Sequence, residues 1–142
     1  MFSIQLDELD LFDAWYEEGP RWRGQFPTMG QPGLESLGTV YFEIEPGEEL
    51  PIHTDSKDEI VVLLSGSGEG TVGDEVADLD AHGFVFIPAL VPHGFRNTGN
   101  ETVRALGIFA GSDVVSKFGQ VVQPIGVRVF GEEPLPSGQH AS

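Results

Sequence analysis

Short apolar runs separated by turn-forming residues are the feature that most constrains how this chain folds. Residues 40–45 alternate apolar and polar side chains, the period expected of a strand with one buried face. Further apolar runs follow at 60–64, 84–87, 103–110 and 121–130. The segments between them, PG, SGSG, GD, PALVP and NTGN, are typical of turns. Because many short strands alternate with turns, the sequence predicts an all-β sandwich or barrel.

The sequence leaves little room for helices, since it contains 19 glycines and 10 prolines. Only residues 6–16 have apolar side chains at helical spacing, which predicts one or two helical turns there. A chain of 142 residues without an internal repeat is the size of one domain. We divide it into an N-terminal arm over 1–36 whose strands pack on the barrel, a barrel over 37–131 and a loose tail over 132–142.

The composition argues against several classes of function. The chain has no cysteine, so a metal ion would have to be bound by histidine and carboxylate side chains. Its formal net charge of −16 argues against binding to nucleic acids or to anionic membranes. The N-terminus is acidic where a signal peptide needs basic residues, and no apolar run is long enough to span a membrane. We therefore expect a soluble, cytoplasmic protein.

Two of the four histidines are candidates for chemistry, namely His53 and His93. Because residues two apart on a strand face the same side, His53 and Asp55 can converge inside a barrel. Neighbouring strands can bring Glu59 and His93 to the same point. The remaining two histidines lie in a turn and in the polar tail, where we expect them to be exposed: His82 and His140.

These residues belong to two segments that resemble the two signature motifs of the cupin superfamily. The first motif reads glycine, His-x-His, glutamate and glycine, and the second ends in a histidine followed four residues later by asparagine. The matching residues are, in order, Gly47, His53, Asp55, Glu59, Gly66, Pro88, His93 and Asn97. The resemblance covers residues 46–99. It implies a double-stranded β-helix, the jelly-roll barrel of cupins, and it implies a homodimer.

One departure from these motifs falls on a metal ligand, because Asp55 stands where the family has its second histidine. If Asp55 binds the metal ion, two carboxylates and two imidazoles bring the net charge of the site to about zero instead of plus one. If it does not, it accepts a hydrogen bond from a bound water or from a ligating imidazole. Smaller departures fall in turns, at His82, Gly83 and Leu90.

The ligand types indicate which cofactor to expect. The resemblance implies a divalent metal ion bound by His53, Asp55, Glu59 and His93. Two imidazoles and one carboxylate form the ligand set of non-haem iron sites, so His53, Glu59 and His93 suffice even if Asp55 does not bind. A carboxylate-rich site favours Fe²⁺ or Mn²⁺, with Zn²⁺ and Ni²⁺ as further candidates.

We expect the barrel interior to hold a small organic ligand. The predicted substrate pocket comprises Phe42, Phe86, Phe95, Arg104 and Phe109, with Phe84 as a further lining candidate. Arg104, on a predicted strand, or Arg96, beside the second motif, is a candidate to bind a substrate carboxylate.

Three functions are consistent with these features. The first is a metal-dependent enzyme, such as a dioxygenase, acting on a small organic substrate. The second is a non-catalytic ligand-binding or accessory protein whose metal is structural or absent, and the third is an isomerase or epimerase. For the expected homodimer, Trp15, Tyr16 and Trp22 are candidates for the interface, because aromatic residues are enriched there, or for closing one end of the barrel.

Overall fold

The computed structural model describes residues 1–131, and the tail predicted over 132–142 lies outside the described residues. In this part of the chain a 3-10 turn precedes twelve strands. The turn is Leu6–Glu8, and the strands are β1 Phe12–Trp15, β2 Arg21–Gln25, β3 Gly38–Ile44, β4 Glu49–Asp55, β5 Glu59–Ser65, β6 Ser67–Val72, β7 Glu75–Asp80, β8 Phe84–Ile87, β9 His93–Asn97, β10 Val103–Phe109, β11 Ser116–Val122 and β12 Val127–Phe130.

The strands form two six-stranded antiparallel sheets. Sheet A has the order β1-β2-β3-β10-β5-β8, and sheet B has the order β12-β11-β4-β9-β6-β7. From β3 onward the chain passes repeatedly from one sheet to the other, which is the winding of a double-stranded β-helix. The predicted all-β jelly-roll barrel is therefore confirmed.

The core lies between the two sheets and follows from the alternation of side chains along each strand. On β3, Phe42 and Ile44 are buried, whereas Glu43 between them is half-exposed. On β10, Val103 and Ala105 are fully buried, and Arg104 between them is not. Other strands contribute buried residues in the same way, including Val61, Leu63, Ile87, Phe95, Phe118 and Val122.

The helix predicted over 6–16 is wrong beyond its first turn. Residues from Phe12 to Trp15 form β1, which pairs with β2 in the register Phe12↔Gly24 to Trp15↔Arg21. Ala14 and Tyr16 are buried on one face of this segment, whereas Asp13 on the other face is exposed. The segment forms a strand because β2 provides hydrogen-bond partners for its backbone. The helical spacing of its apolar residues gives no information about that partner. Across residues 1–131, no helix has the length and apolar character needed to cross a membrane.

The aromatic residues of the N-terminal segment pack within the protomer. Tyr16 and Trp22 are buried, and the Trp22 ring stacks on Phe118 with 5.5 Å between centroids. Tyr16 meets Trp22 edge-on at 6.0 Å. Trp15 is half-buried beneath the guanidinium of Arg21. Tyr16 and Trp22 therefore belong to the hydrophobic core.

The outer face of sheet A exposes large apolar side chains. Ile60 on β5 lies between Phe86 on β8 and Ile108 on β10 in the strand register. These three side chains and Phe84 are exposed. We call Ile60, Phe84, Phe86 and Ile108 the outer apolar face.

Candidate metal centre

The four predicted metal ligands come from three strands that face the barrel interior. His53 and Asp55 lie on β4, and His93 lies directly opposite His53 on β9 of the same sheet. Glu59 begins β5 in the opposite sheet. All four are buried, with 8%, 3%, 5% and 4% of the surface exposed for His53, Asp55, His93 and Glu59 respectively. Burial of so many ionisable groups is costly unless they are paired or bind a cation.

Backbone carbonyls set the orientation of both imidazoles. The Nδ1 atom of His53 lies 2.8 Å from the carbonyl oxygen of Pro51, and Nδ1 of His93 lies 2.9 Å from that of Val91. Because a carbonyl oxygen can only accept a hydrogen bond, each Nδ1 carries a proton and donates it. The Nε2 atoms are therefore the ones that face the site, and in neutral histidine each offers a lone pair there.

Asp55 lies between the two imidazoles. Its Oδ2 atom is 3.0 Å from Nε2 of His93 and 3.5 Å from Nε2 of His53. Its Oδ1 atom accepts a 2.5 Å hydrogen bond from the hydroxyl of Ser116, which pairs with Asp55 across β11 and β4. Sequence reasoning missed Ser116, because nothing near position 116 indicates that this strand runs beside β4.

Two buried polar atoms at this point lack a hydrogen-bond partner, Oδ2 of Asp55 and Nε2 of His93. The two atoms are close, but they are not aligned as a hydrogen bond. Buried polar atoms are rarely left in this state. One ligand atom from each of His53, Asp55 and His93 lies within 4.8 Å of the other two, and these donors are nitrogen and carboxylate oxygen. The residues present therefore fit a divalent metal ion.

Glu59 lies beside this group and not within it. Its Oε1 atom is 3.5 Å from Nε2 of His93. Its Oε2 atom is packed so closely against Gly107 that a Cβ at that position would come within 2.2 Å of it. The structure thus brings together His53, Asp55 and His93, whereas the sequence favoured Glu59 over Asp55 as the carboxylate ligand.

The clustered groups shift one another's pKa values. Burial disfavours charged His93, but the carboxylates of Asp55 and Glu59 outweigh burial and raise the pKa of His93 to about 10. Burial also acts to raise the pKa of Asp55, but His53 and His93 outweigh it and hold that pKa well below its usual range. For Glu59, burial prevails and raises the pKa. These shifts favour a proton on His93 at neutral pH.

The cupin-domain family model Cupin_2 matches residues 40–109, a range that contains all four of these side chains. The chain belongs to the cupin superfamily. No curated protein sequence matches this cupin significantly.

Solved structures agree with this assignment. A cupin-2 domain protein from Rhodospirillum rubrum is 23% identical, with a TM-score of 0.64, over 77% of this chain and 74% of that chain. A proposed sugar phosphate isomerase from Acidithiobacillus ferrooxidans is 28% identical, with a TM-score of 0.56, over 70% of this chain and 65% of that chain. A polyketide cyclase from Streptomyces resistomycificus is 20% identical, with a TM-score of 0.61, over 80% of this chain and 83% of that chain. Their names cover different chemistries, so the cupin fold alone does not identify a reaction.

An apolar cavity of about 90 Å³ adjoins the candidate metal centre of this cupin. Of the predicted lining residues, Phe42, Phe95 and Phe109 do line it. Sequence reasoning did not assign Phe118 to the cavity, although its ring stacks on His53 with 4.6 Å between centroids and 11° between planes. Trp22 also stacks on Phe118 and lines the cavity.

Two predicted pocket residues, Phe86 and Arg104, face away from the cavity. Phe86 is 54% exposed because Val85 and Ile87 take the inward positions of β8, and Phe84 is exposed for the same reason. Arg104 faces outward because Val103 and Ala105 on either side are buried in the core.

Neither arginine proposed to bind a carboxylate reaches the cavity. On the outer side of sheet A, the Nε atom of Arg104 donates a 2.6 Å hydrogen bond to the hydroxyl of Tyr41, and its guanidinium pairs with Asp7. Arg96 is exposed and pairs with Glu69. His82 is exposed in a turn, as expected, and His140 lies outside the described residues.

Proposed function

We propose that this cupin binds one divalent metal ion through His53, Asp55 and His93 and is a metal-dependent enzyme acting on a small organic molecule. The observation that carries the proposal is the convergence of two Nε2 atoms on Oδ2 of Asp55, with Oδ2 and the His93 nitrogen buried and unpartnered. Glu59 is close enough to His93 to complete the ligand set or to accept a hydrogen bond from a ligand of the metal.

The ligand set supports a preference among metals. Two imidazoles with one or two carboxylates suit Fe²⁺ or Mn²⁺ best, and they also accept Zn²⁺ or Ni²⁺. With iron bound, such a site would supply the oxygen chemistry of a dioxygenase, which is the reaction that we propose. Three ligands leave coordination positions open for a substrate.

The surrounding residues support this role by fixing the ligands in place. The carbonyl groups of Pro51 and Val91 hold the two imidazoles in one tautomer, and Ser116 holds the carboxylate of Asp55. Such indirect contacts typically change metal affinity by about 10- to 100-fold. The ring of Phe118 packs flat against His53 and keeps water from that side of the imidazole.

A metal-free isomerase is the second candidate, and one observation favours it. The Nε2 atom of His93 lies 3.0 Å from a carboxylate oxygen of Asp55 and 3.5 Å from one of Glu59, so an imidazole and two carboxylates stand close enough to act on one substrate as acid and base. An accessory protein without catalysis would show ligand binding and no turnover.

Metal content distinguishes these functions. The protein is purified without a histidine tag, loaded anaerobically with Fe²⁺, Mn²⁺, Zn²⁺ or Ni²⁺, and analysed for metal and for oxygen consumption with a panel of small organic compounds. We expect one ion per chain, lost in His93→Ala and kept in His82→Asn, an exposed histidine whose positive φ asparagine tolerates. A native protein that binds none of these ions would refute the metal-dependent proposal. Isomerisation of one of the compounds by the metal-free protein, followed by NMR, would establish the isomerase.

A further inference from the structure

Among the described residues, no lysine or arginine lines the cavity beside the candidate metal centre. The chain has seven lysines and arginines, and none is among the described residues that line the cavity. Residues 132–142 contain no lysine or arginine. Most of the basic side chains have partners elsewhere: Arg21 with Trp15, Arg23 with Glu43 and Glu45, Lys57 with Asp113, Arg96 with Glu69, Arg104 with Asp7, and Arg128 with the carbonyl group of Phe118. The seventh, Lys117, is an exposed residue of β11 and also interacts with its surroundings.

The ionisable groups that do line the cavity offer no net attraction to an anion. They are the carboxylates of Asp55 and Glu59 and the imidazoles of His53 and His93. A divalent ion between two ionised carboxylates and two neutral imidazoles brings the sum of charges to about zero. The whole chain carries a formal net charge of −16, which repels anions from a distance. A carboxylate or phosphate that left water for this cavity would find no lysine or arginine among the described lining residues to replace its hydration.

The walls of the cavity favour apolar surface. Aromatic rings supply much of the lining, among them Trp22, Phe42, Phe95 and Phe118. Few hydrogen-bonding groups accompany them, and the hydroxyl of Ser116 already donates to Asp55. A ligand can therefore place one polar group at the metal centre while the rest of the molecule meets hydrocarbon.

We infer that the cavity selects a small, uncharged, mainly apolar organic molecule and excludes carboxylates and phosphates. The inference rests on the proposed function, whose substrate class it names. It also replaces the expectation that an arginine binds a substrate carboxylate.

The test compares uncharged and anionic molecules of matched shape. Benzyl alcohol with benzoate, and the smaller pair 1-butanol with butyrate, are titrated at pH 7.5 by saturation-transfer NMR on metal-free and metal-loaded protein. We expect at least one alcohol to bind saturably, with its carboxylate at least tenfold weaker in both forms. A carboxylate that binds as tightly as its alcohol, or the absence of saturable binding by both alcohols, would overturn the inference.

A variant that fills the cavity shows where the ligand binds. A Cβ at Gly70, which lines the cavity, would lie 3.5 Å from the nearest atom of Phe95, an ordinary contact, so Gly70→Val adds volume without a clash at Cβ. We expect this variant to weaken alcohol binding at least tenfold. The control is Gly119→Val on β11, where a Cβ meets nothing within 4 Å and binding should not change. Unaltered binding in Gly70→Val would overturn the assignment to this cavity.

The failure of this inference and the failure of the proposed function give different results. If the protein binds no metal and still prefers the alcohols, the inference about the ligand is supported and the proposal of a metal-dependent enzyme is refuted. If the metal-loaded protein consumes oxygen with a carboxylate or phosphate compound, the proposed function is supported and the inference about an uncharged ligand is refuted.

Discussion

The hydroxyl of Ser116 donates a 2.5 Å hydrogen bond to Oδ1 of Asp55, across 61 residues of sequence. This contact decides which carboxylate oxygen faces the two imidazoles. We expect Ser116→Ala to lower metal affinity by about tenfold, because Asp55 would be free to rotate. Competition with a chelator measures the effect. The matched control is Ser112→Ala, at an exposed serine outside the metal centre, and equal affinities in the two variants would contradict the prediction.

Asp55 and Glu59 should contribute unequally to metal binding. Asp55 Oδ2 is near both imidazoles, whereas Glu59 is near His93 and packs its other oxygen on Gly107. Asp55→Asn and Glu59→Gln are comparable, because each removes one carboxylate and keeps the shape of the side chain. We expect Asp55→Asn to weaken metal binding about tenfold more than Glu59→Gln, because Asp55 is near both imidazoles. Elemental analysis after dialysis against a graded chelator series measures both. A greater loss in Glu59→Gln would show that Glu59 is the ligand.

Metal binding should release protons and strengthen as pH rises. Asp55 and Glu59 raise the pKa of His93 to about 10, so metal-free His93 is protonated at neutral pH. The stability that this raised pKa confers is complete below the ordinary histidine value of about 6.5 and is lost as pH rises through about 10. Because the metal displaces this proton, apparent affinity should rise by about tenfold per pH unit below pH 10.

Calorimetry in buffers of different ionisation enthalpy checks the number of protons released at pH 7.5. We expect about one proton per ion. His82→Asn should release the same number, because His82 is exposed and lies outside the candidate metal centre. Affinity that stays constant between pH 7 and pH 9 would contradict the displacement of a proton from His93.

The close contact at Gly107 should make this position intolerant of any side chain. A Cβ there would lie 2.2 Å from Oε2 of Glu59 and 2.8 Å from Cγ1 of Val40. We expect Gly107→Ala to lower the free energy of unfolding by about 1–3 kcal/mol, the usual cost of overpacking. Urea denaturation measures the free energy of unfolding. The control is Gly119→Ala on the other sheet, where a Cβ meets nothing within 4 Å. Equal stabilities would mean that Glu59 moves aside freely.

The outer apolar face is where we expect a second copy of the chain to bind. Its four side chains are uncharged, so this face avoids the repulsion that the net charge of −16 imposes elsewhere, and an identical apolar face is self-complementary. Light scattering should give twice the chain mass of 15.4 kDa. Phe86→Lys should give a monomer, and Val127→Lys, at another exposed apolar residue, should not. A monomeric native protein would refute the prediction.

Local patterns and motif spacing in the sequence were sufficient for the strands and for the three side chains that converge at the candidate metal centre. Side chains on a strand alternate strictly, so the spacing of His53 and Asp55 placed both on one face before any partner strand was known. The glycines and prolines between apolar runs predicted the turns, because they permit backbone conformations that other residues avoid. The motif spacing then identified His93 as the residue that arrives from a distant strand.

Only the tertiary structure decided which groups meet and which face is buried. Alternation shows that Phe86 and Val85 point in opposite directions, but the side of the sheet that meets the core depends on its neighbours, so Phe86 and Arg104 were misplaced. The pairing of β1 with β2 likewise converted a helical pattern into a strand. Ser116 reaches Asp55 through strand register alone. Register between distant strands is set by the total area buried and the hydrogen bonds formed, and neither is encoded within one short segment.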